Sequence, residues 1–257
     1  MRIALTGGAT GIGACVAAKL KARGAHVTAF DLVEPEDNVD RWIRTDLGDP
    51  ASIIAAAEAA EGPFDALINN AGLPPREGLE ELILKVNFVG LRTFLDAMLT
   101  RLSPNAAIVN TASRAGAMWR DNIEQVKALM ALASMDDVPA FVAAQEIDAV
   151  RAYNLSKEAV IALTISRTED MIARNLRMNS VSPAAVSTGI LDDFLNAFGE
   201  RAQKAISRAG RAGEPDEIAD VIVFLASPES RWIKGQDIVI DGGISAMAAS
   251  DMLALRP

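Results

Sequence analysis

The chain is poor in the residues that build many reactive sites. Among 257 residues it has one cysteine, Cys15, one histidine, His26, and one tyrosine, Tyr153. A single cysteine excludes an intrachain disulfide. One His and one Cys are too few for an ordinary zinc site. A Ser-His-Asp nucleophile would have to use His26, which stands at the head of a strand pattern far from any candidate nucleophile turn. No run of about eighteen uninterrupted apolar residues occurs, so no membrane span is expected. Basic residues are outnumbered, 25 Lys and Arg against 34 Asp and Glu, for a net charge of −9. A field of that sign repels phosphate backbones, so nucleic-acid binding is not expected. Met1 to Leu5 runs straight into a glycine loop, too soon for a signal peptide. With the scarcity of cysteine, this points to a reducing cytoplasm. Cys15, among small residues in a helical pattern, reads as a packed core cysteine.

What is present is a large apolar complement, 50% of the chain. That is enough for one sizeable core, and α/β chains of this length are often one unit. Short apolar runs read as strands at 3–6, 26–31, 42–45, 66–69, 106–111, 178–181 and 238–240. Helical patterns fill 11–23, 50–61, 80–102 and 153–174 between them. Strand, helix and strand in turn imply parallel pairing with right-handed crossovers. The expected architecture is α/β: a single doubly wound Rossmann unit over 1–257, a seven-stranded parallel sheet with helices on both faces.

The first strand leads into Thr6-Gly7-Gly8-Ala9-Thr10-Gly11-Ile12-Gly13. Glycines let backbone amides approach a pyrophosphate, and the helix that follows points its positive N-terminus at it. Asp31 closes the second strand, eighteen residues after Gly13. A carboxylate there can accept both adenosine ribose hydroxyls and would repel a 2′-phosphate. No Arg or Lys lies between Gly7 and Gly13, so the pattern favours NAD over NADP.

Tyr153 and Lys157 are four apart and share one helix face. A free phenol, with a pKa of about 10, is a weak base near neutrality. An adjacent ammonium and a positive nicotinamide ring favour the phenolate. Tyr153 can then take a proton from an alcohol or return one to a carbonyl. Ser113, at the end of the fifth strand, is placed to hydrogen-bond the reacting oxygen.

The glycine spacing, Asn69-Asn70-Ala71-Gly72, Asn87, Ser113, Tyr153-Asn154-Leu155-Ser156-Lys157 and the ending Asp241-Gly242-Gly243 occur in order along the chain. Together they resemble the short-chain dehydrogenase/reductase family, and within it the bacterial 3α-hydroxysteroid dehydrogenase/carbonyl reductase group. The resemblance implies a catalytic set of Asn87, Ser113, Tyr153 and Lys157. Lys157 would also hold the nicotinamide ribose, and Asn87 would support a water relay to it. The implied NAD contacts are Gly7, Thr10, Gly11, Ile12, Gly13 and Asp31. Asp46 and Leu47 would flank the adenine, and Asn69, Ala71 and Gly72 the ribose. Pro183, Val186 and Thr188 would lie toward the nicotinamide, with Tyr153 and Lys157. One departure is Pro183-Ala184, where the family has Pro-Gly; Ala fits only if its φ is negative.

Ser113 and Tyr153 stand forty positions apart, about three times the gap the resemblance implies. The extra piece, about 117–148, reads as one or two helices interrupted near Asp136-Asp137-Val138-Pro139. It is expected to alter the packing of the helices that form family dimers, or to roof the substrate cleft. The segment 190–209, where the family places a mobile lid, carries Ile190, Leu191, Phe194, Leu195 and Phe198 at near-helical spacing. The expected partner is a hydrophobic small-molecule alcohol or ketone. A secondary alcohol such as a 3-hydroxysteroid is the first candidate, with aromatic and terpenoid alcohols beside it. An NAD-sensing protein without turnover is the rival from another class. A homodimer or homotetramer is implied by the resemblance.

Overall fold

A computed structural model describes residues 1–255. The order runs β1 (Arg2–Thr6), α1 (Gly11–Ala22), β2 (His26–Asp31), β3 (Arg41–Arg44), α2 (Pro50–Ala59), β4 (Phe64–Asn69), α3 (Glu80–Leu84) and α4 (Leu91–Met98). It continues with β5 (Leu102–Thr111), α5 (Ile123–Met130), α6 (Val138–Ala144), α7 (Ala149–Ser166), α8 (Thr168–Ala173) and β6 (Arg177–Pro183). It closes with α9 (Leu191–Ala209), α10 (Pro215–Ala226), β7 (Asp237–Ile240) and α11 (Ile244–Met252). The strands form one seven-stranded sheet in the order β3-β2-β1-β4-β5-β6-β7, all parallel. This is the sheet the sequence predicts.

The central strands are apolar throughout because both faces are covered. Ile3 and Leu5 of β1, Ala66 and Ile68 of β4, and Ala107 and Val109 of β5 face α1 and α10. Ala4, Leu67 and Ile108 point the other way, onto α2, α4 and α7. Cys15 packs only partly buried against the first of these layers, and burial raises its thiol pKa.

The chain reverses direction across the sheet between β1 and β4. A crevice opens at such a switch point, beyond the carboxyl ends of the strands. Here Thr6 pairs with Asn69, and the amides of Asn70 and Ala71 donate to Thr6 Oγ1 at 3.0 and 3.1 Å. These bonds fix the lip of the crevice.

The structure departs from the sequence reading in places. The expected helix over 80–102 is α3, a wider π turn over Lys85–Gly90, α4 and a short 3₁₀ turn over Leu99–Arg101. β5 begins at Leu102 rather than 106. Its pairing with β4 slips between Phe64 and Ala66, opposite Pro104 and Asn105, where Pro104 has no N–H to give and Asn105 has φ +67. α10 and α11 have no counterpart in the sequence reading. α10 nevertheless carries a legible start, Pro215 at its first turn and a reciprocal Glu214–Glu217 capping box. The insertion forms α5 and α6, parted by a 3₁₀ turn at Met135–Asp137. α5 packs on α7 and α6 on α3, while Arg92 of α4 donates to the carbonyls of Met130 and Leu132 at 2.8 and 2.7 Å. Among the described residues no helix is long and apolar enough to cross a membrane.

Candidate active site

The glycine loop is shaped by contacts that no side chain would allow. Gly7 has φ +70, and a Cβ there would lie 2.7 Å from Ala71 Cα. A Cβ on Gly13 would lie 1.8 Å from the Gly7 carbonyl oxygen. α1 can therefore begin only by pressing its first turn onto the loop. Its N-cap, Thr10, makes no side-chain cap bond, and the first turn holds no acidic residue. The leading amides thus have no side chain capping them, as an anion site requires. Asp31 stands beside them, its Oδ2 accepting from Ala9 N at 3.0 Å. The bare loop, the uncapped first turn and this carboxylate fit the pyrophosphate and ribose of a dinucleotide.

Across the crevice, α7 presents Tyr153 and Lys157, only 5% and 4% exposed. Lys157 Nζ donates to Thr111 O at 2.9 Å and lies 5.8 Å from the Tyr153 ring centroid. Burial pushes the phenol up to about 12, with a hydrogen bond from Ser113 acting in the opposite direction. Burial also pulls the ammonium down to about 8. Ser113 ends its own extended segment, and its Oγ accepts from Ala115 N at 3.1 Å. Gly116 lets that segment press onto α7, since a Cβ there would meet the Lys157 backbone at 2.8 Å.

Asn87 is fully buried in the π turn. Its side chain accepts from Leu73 N at 2.7 Å, donates to Leu73 O at 2.9 Å and reaches Ser156 Oγ at 3.4 Å. It clamps the backbone just past Gly72. A Cβ on Gly72 would sit 3.2 Å from Asn87 Oδ1 and 3.4 Å from Lys157 Nζ, so glycine lets the two approach.

One cleft of about 1240 Å³ gathers most of these residues, room enough for a dinucleotide and a second molecule. Gly7, Thr10, Gly11, Ile12, Asp31, Asp46, Leu47, Ala71 and Gly72 line it, as do Ser113, Tyr153, Lys157, Pro183, Val186 and Thr188. Gly13, Asn69 and Asn87 stand behind the wall. The Asn69 side chain points into the sheet, donating to Asn110 Oδ1 at 2.9 Å. Asn70, which the sequence reading passes over, lines the cleft and donates to Gly7 O at 3.0 Å. Its place inside an Asn-Asn-Ala-Gly run was the available signal. Thr188 is held over Gly11 because the chain after β6 pairs with Gly213. Ala184 does not have a positive φ and donates to Ile240 O at 3.0 Å, so alanine is accommodated after Pro183.

The outer wall is α9. Phe194 and Phe198 meet the Tyr153 ring edge-on, with centroids at 5.2 and 6.5 Å. Gly199 breaks the helix just beyond them, at φ 52 and ψ −135. A bidentate ion pair, Arg76 to Asp193 at 2.9 and 2.8 Å, ties the start of α9 to the segment after β4.

A family model described as enoyl-(acyl carrier protein) reductase matches residues 7–245. The chain belongs to the short-chain dehydrogenase/reductase family. This short-chain dehydrogenase/reductase is 33% identical to coniferyl-alcohol dehydrogenase of Pseudomonas sp. (strain HR199 / DSM 7063), over 95% of this chain and 96% of that protein. It is 30% identical to 3-alpha-hydroxysteroid dehydrogenase/carbonyl reductase of Comamonas testosteroni, over 95% and 96% of the two chains. The crystal structure of the 3-alpha-hydroxysteroid dehydrogenase from Pseudomonas sp. B-0831, complexed with NADH, superposes with a TM-score of 0.84 at 28% identity, covering 97% of this chain and 99% of that one. The protein is an oxidoreductase of the short-chain type, a family that works with a nicotinamide cofactor.

Proposed function

We propose that the protein transfers a hydride between NAD and a hydrophobic ring-bearing alcohol, interconverting it with its carbonyl compound. The observation that carries this reading is the buried pair Tyr153 and Lys157, beside Ser113, in the same cleft as the glycine loop and Asp31. A bound nicotinamide supplies the hydride or accepts it. Ser113 orients the substrate oxygen. Tyr153 gives that oxygen a proton in reduction and takes one in oxidation. Lys157, held by its bond to Thr111 O, keeps a positive charge near the phenol, and Asn87 clamps the backbone at Leu73 beside it. Asp31 favours NAD, since a 2′-phosphate at that carboxylate would meet a like charge.

Phe194 and Phe198 give the substrate side an apolar, aromatic wall. A 3-hydroxysteroid suits that wall, and the similarity to the 3-alpha-hydroxysteroid dehydrogenases supports it. An aromatic alcohol suits it as well, and the 33% identity to a coniferyl-alcohol dehydrogenase supports this second reading.

The test is absorbance of the reduced cofactor with NAD and a panel of hydroxysteroids and aromatic alcohols. Tyr153→Phe is expected to lose about 10²-fold or more in kcat. Turnover that persists in that variant would overturn the assignment of Tyr153. Asp31→Ser should lower the ratio of kcat/KM for NAD over NADP by about tenfold or more; an unchanged ratio would remove the case for NAD.

A further inference from the structure

α9 is weakly anchored for an element that walls a cleft. None of its side chains is fully buried, and the element it chiefly packs on, α11, has no buried side chain either. A segment held in this way belongs to the low end of local stability. It nevertheless covers the group on which the proposed chemistry turns. Tyr153 is 5% exposed, with the Phe194 and Phe198 rings edge-on against it. Those two rings lie parallel to one another, 7° apart in plane and 6.2 Å between centroids. Ala202, Ala205 and Ile206 continue the wall beyond them. A substrate that brings its oxygen to the phenol has to pass these rings, so α9 has to lift.

Gly199 divides the helix. Its φ of +52 with ψ −135 is a conformation that suits glycine alone, and nothing lies within 4 Å of a Cβ built there. Backbone freedom rather than crowding therefore calls for glycine. The break parts 191–198, which carries both phenylalanines, from 200–209. Among the described residues, side-chain hydrogen bonds tie each half to other elements at one place. Arg208 of the second half donates to Met247 O and to Asp251, both on α11. Asp193 of the first half accepts from Arg76 Nε and Nη2 on separate oxygens, at 2.9 and 2.8 Å. Arg76 follows Gly72 and Leu73, so the pair joins their side of the cleft to the outer wall. Asp193 is 21% exposed, and the guanidinium beside it holds its carboxyl below the usual carboxylate range. Exposed ion pairs are mostly weak, and the bidentate fork is the geometry in which they count. Modest strength suits a contact that breaks and re-forms.

We propose that the Arg76–Asp193 pair is a latch that holds 191–198 down on Tyr153, with Gly199 as its hinge, and that its breaking governs how often the site opens. The proposal rests on the reading of Tyr153 as the group that exchanges a proton with the substrate. Removing either charge leaves the ring contacts to hold the first half, so the closed arrangement is less populated and passage through it quickens.

Hydrogen–deuterium exchange through 191–198 tests the latch. The proteins are the wild type, Asp193→Asn, Arg76→Gln and the reversed pair Arg76→Asp with Asp193→Arg, with thermal midpoints confirming that each folds. Exchange in this half should quicken about two- to fivefold in the single variants and return toward the wild-type rate in the reversed pair, while 200–209 changes little. Release of bound NADH, followed by stopped-flow fluorescence on adding excess NAD, needs no turnover and should quicken by a similar factor. Unchanged exchange in 191–198, or faster exchange with an unchanged rate of NADH release, would overturn the proposal. If the wild type holds no NADH, exchange alone decides the latch, and the dehydrogenase reading is what falls.

Discussion

Tyr153 and Lys157 have been moved in opposite directions by one cause, removal from water. Burial holds the phenol protonated up to about 12, so by itself it makes Tyr153 a proton donor. Oxidation needs the opposite, and in the proposed mechanism the positive charge of Lys157, 5.8 Å from the ring centroid, is what would favour the phenolate. That charge is costly to bury. A fall from 10.5 to about 8 corresponds to about 3 kcal/mol of destabilisation while the lysine is charged. The cost is fully present below about 8, where folded and unfolded states both hold the proton. It fades between about 8 and 10.5, as the folded state releases the proton first, and is absent above that window. Lys157→Met should therefore lose activity by about 10²-fold or more. The same variant should gain about 2–4 °C in Tm at pH 7 after losing the bond to Thr111, and the gain should shrink as the pH rises. Scanning calorimetry at several pH values checks this; a Tm that falls at pH 7 would show that the lysine is not paying a burial cost.

The glycine loop with α1 works as an element, and its glycines are not equivalent. Gly13 meets the Gly7 carbonyl at a distance no methyl group can share, so Gly13→Ala must push α1 off the loop. Overpacking of this kind costs about 1–3 kcal/mol and also moves the amides proposed to face the pyrophosphate. NADH affinity should fall by about tenfold or more, read by fluorescence titration. Gly24, at the far end of α1, has φ +75 but nothing within 4 Å of a Cβ. Gly24→Ala should cost about 1 kcal/mol of stability and leave NADH affinity as it was. Equal affinities in the two variants would mean that the packing of α1 on the loop does not position those amides.

Across the whole molecule, the insertion is tied to α7 by the Arg151–Glu158–Asn122 network. A buried pair of this kind contributes little net stability, but breaking it strands a charge. Glu158→Leu leaves Arg151, 24% exposed, without its carboxylate, and should destabilise by about 3 kcal/mol. The double variant Arg151→Leu, Glu158→Leu removes both charges and should recover most of that loss. Urea unfolding of the wild type, Glu158→Leu, Arg151→Leu and the double variant tests the coupling; single-variant losses that add up to the double-variant loss would show that the two residues act separately.

The parts legible in the sequence are those carried by local pattern. A strand, a glycine turn and a helix need only neighbouring residues, as do Asp31 at a strand end and Tyr153 and Lys157 one helical turn apart. From these the sheet, the cofactor loop and the proposed proton-transfer pair could be read. Tertiary structure decided what depends on distant segments. Asn122 meets Glu158 across 36 positions, and Arg76 meets Asp193 across 117. The π turn that turns Asn87 inward and the break at Gly199 likewise leave no periodic trace. Desolvation belongs with them, because how much water a phenol or an ammonium loses is set by every element packed around it. Hydrogen-bonding patterns along a chain are short in range, whereas burial is a property of the assembled fold.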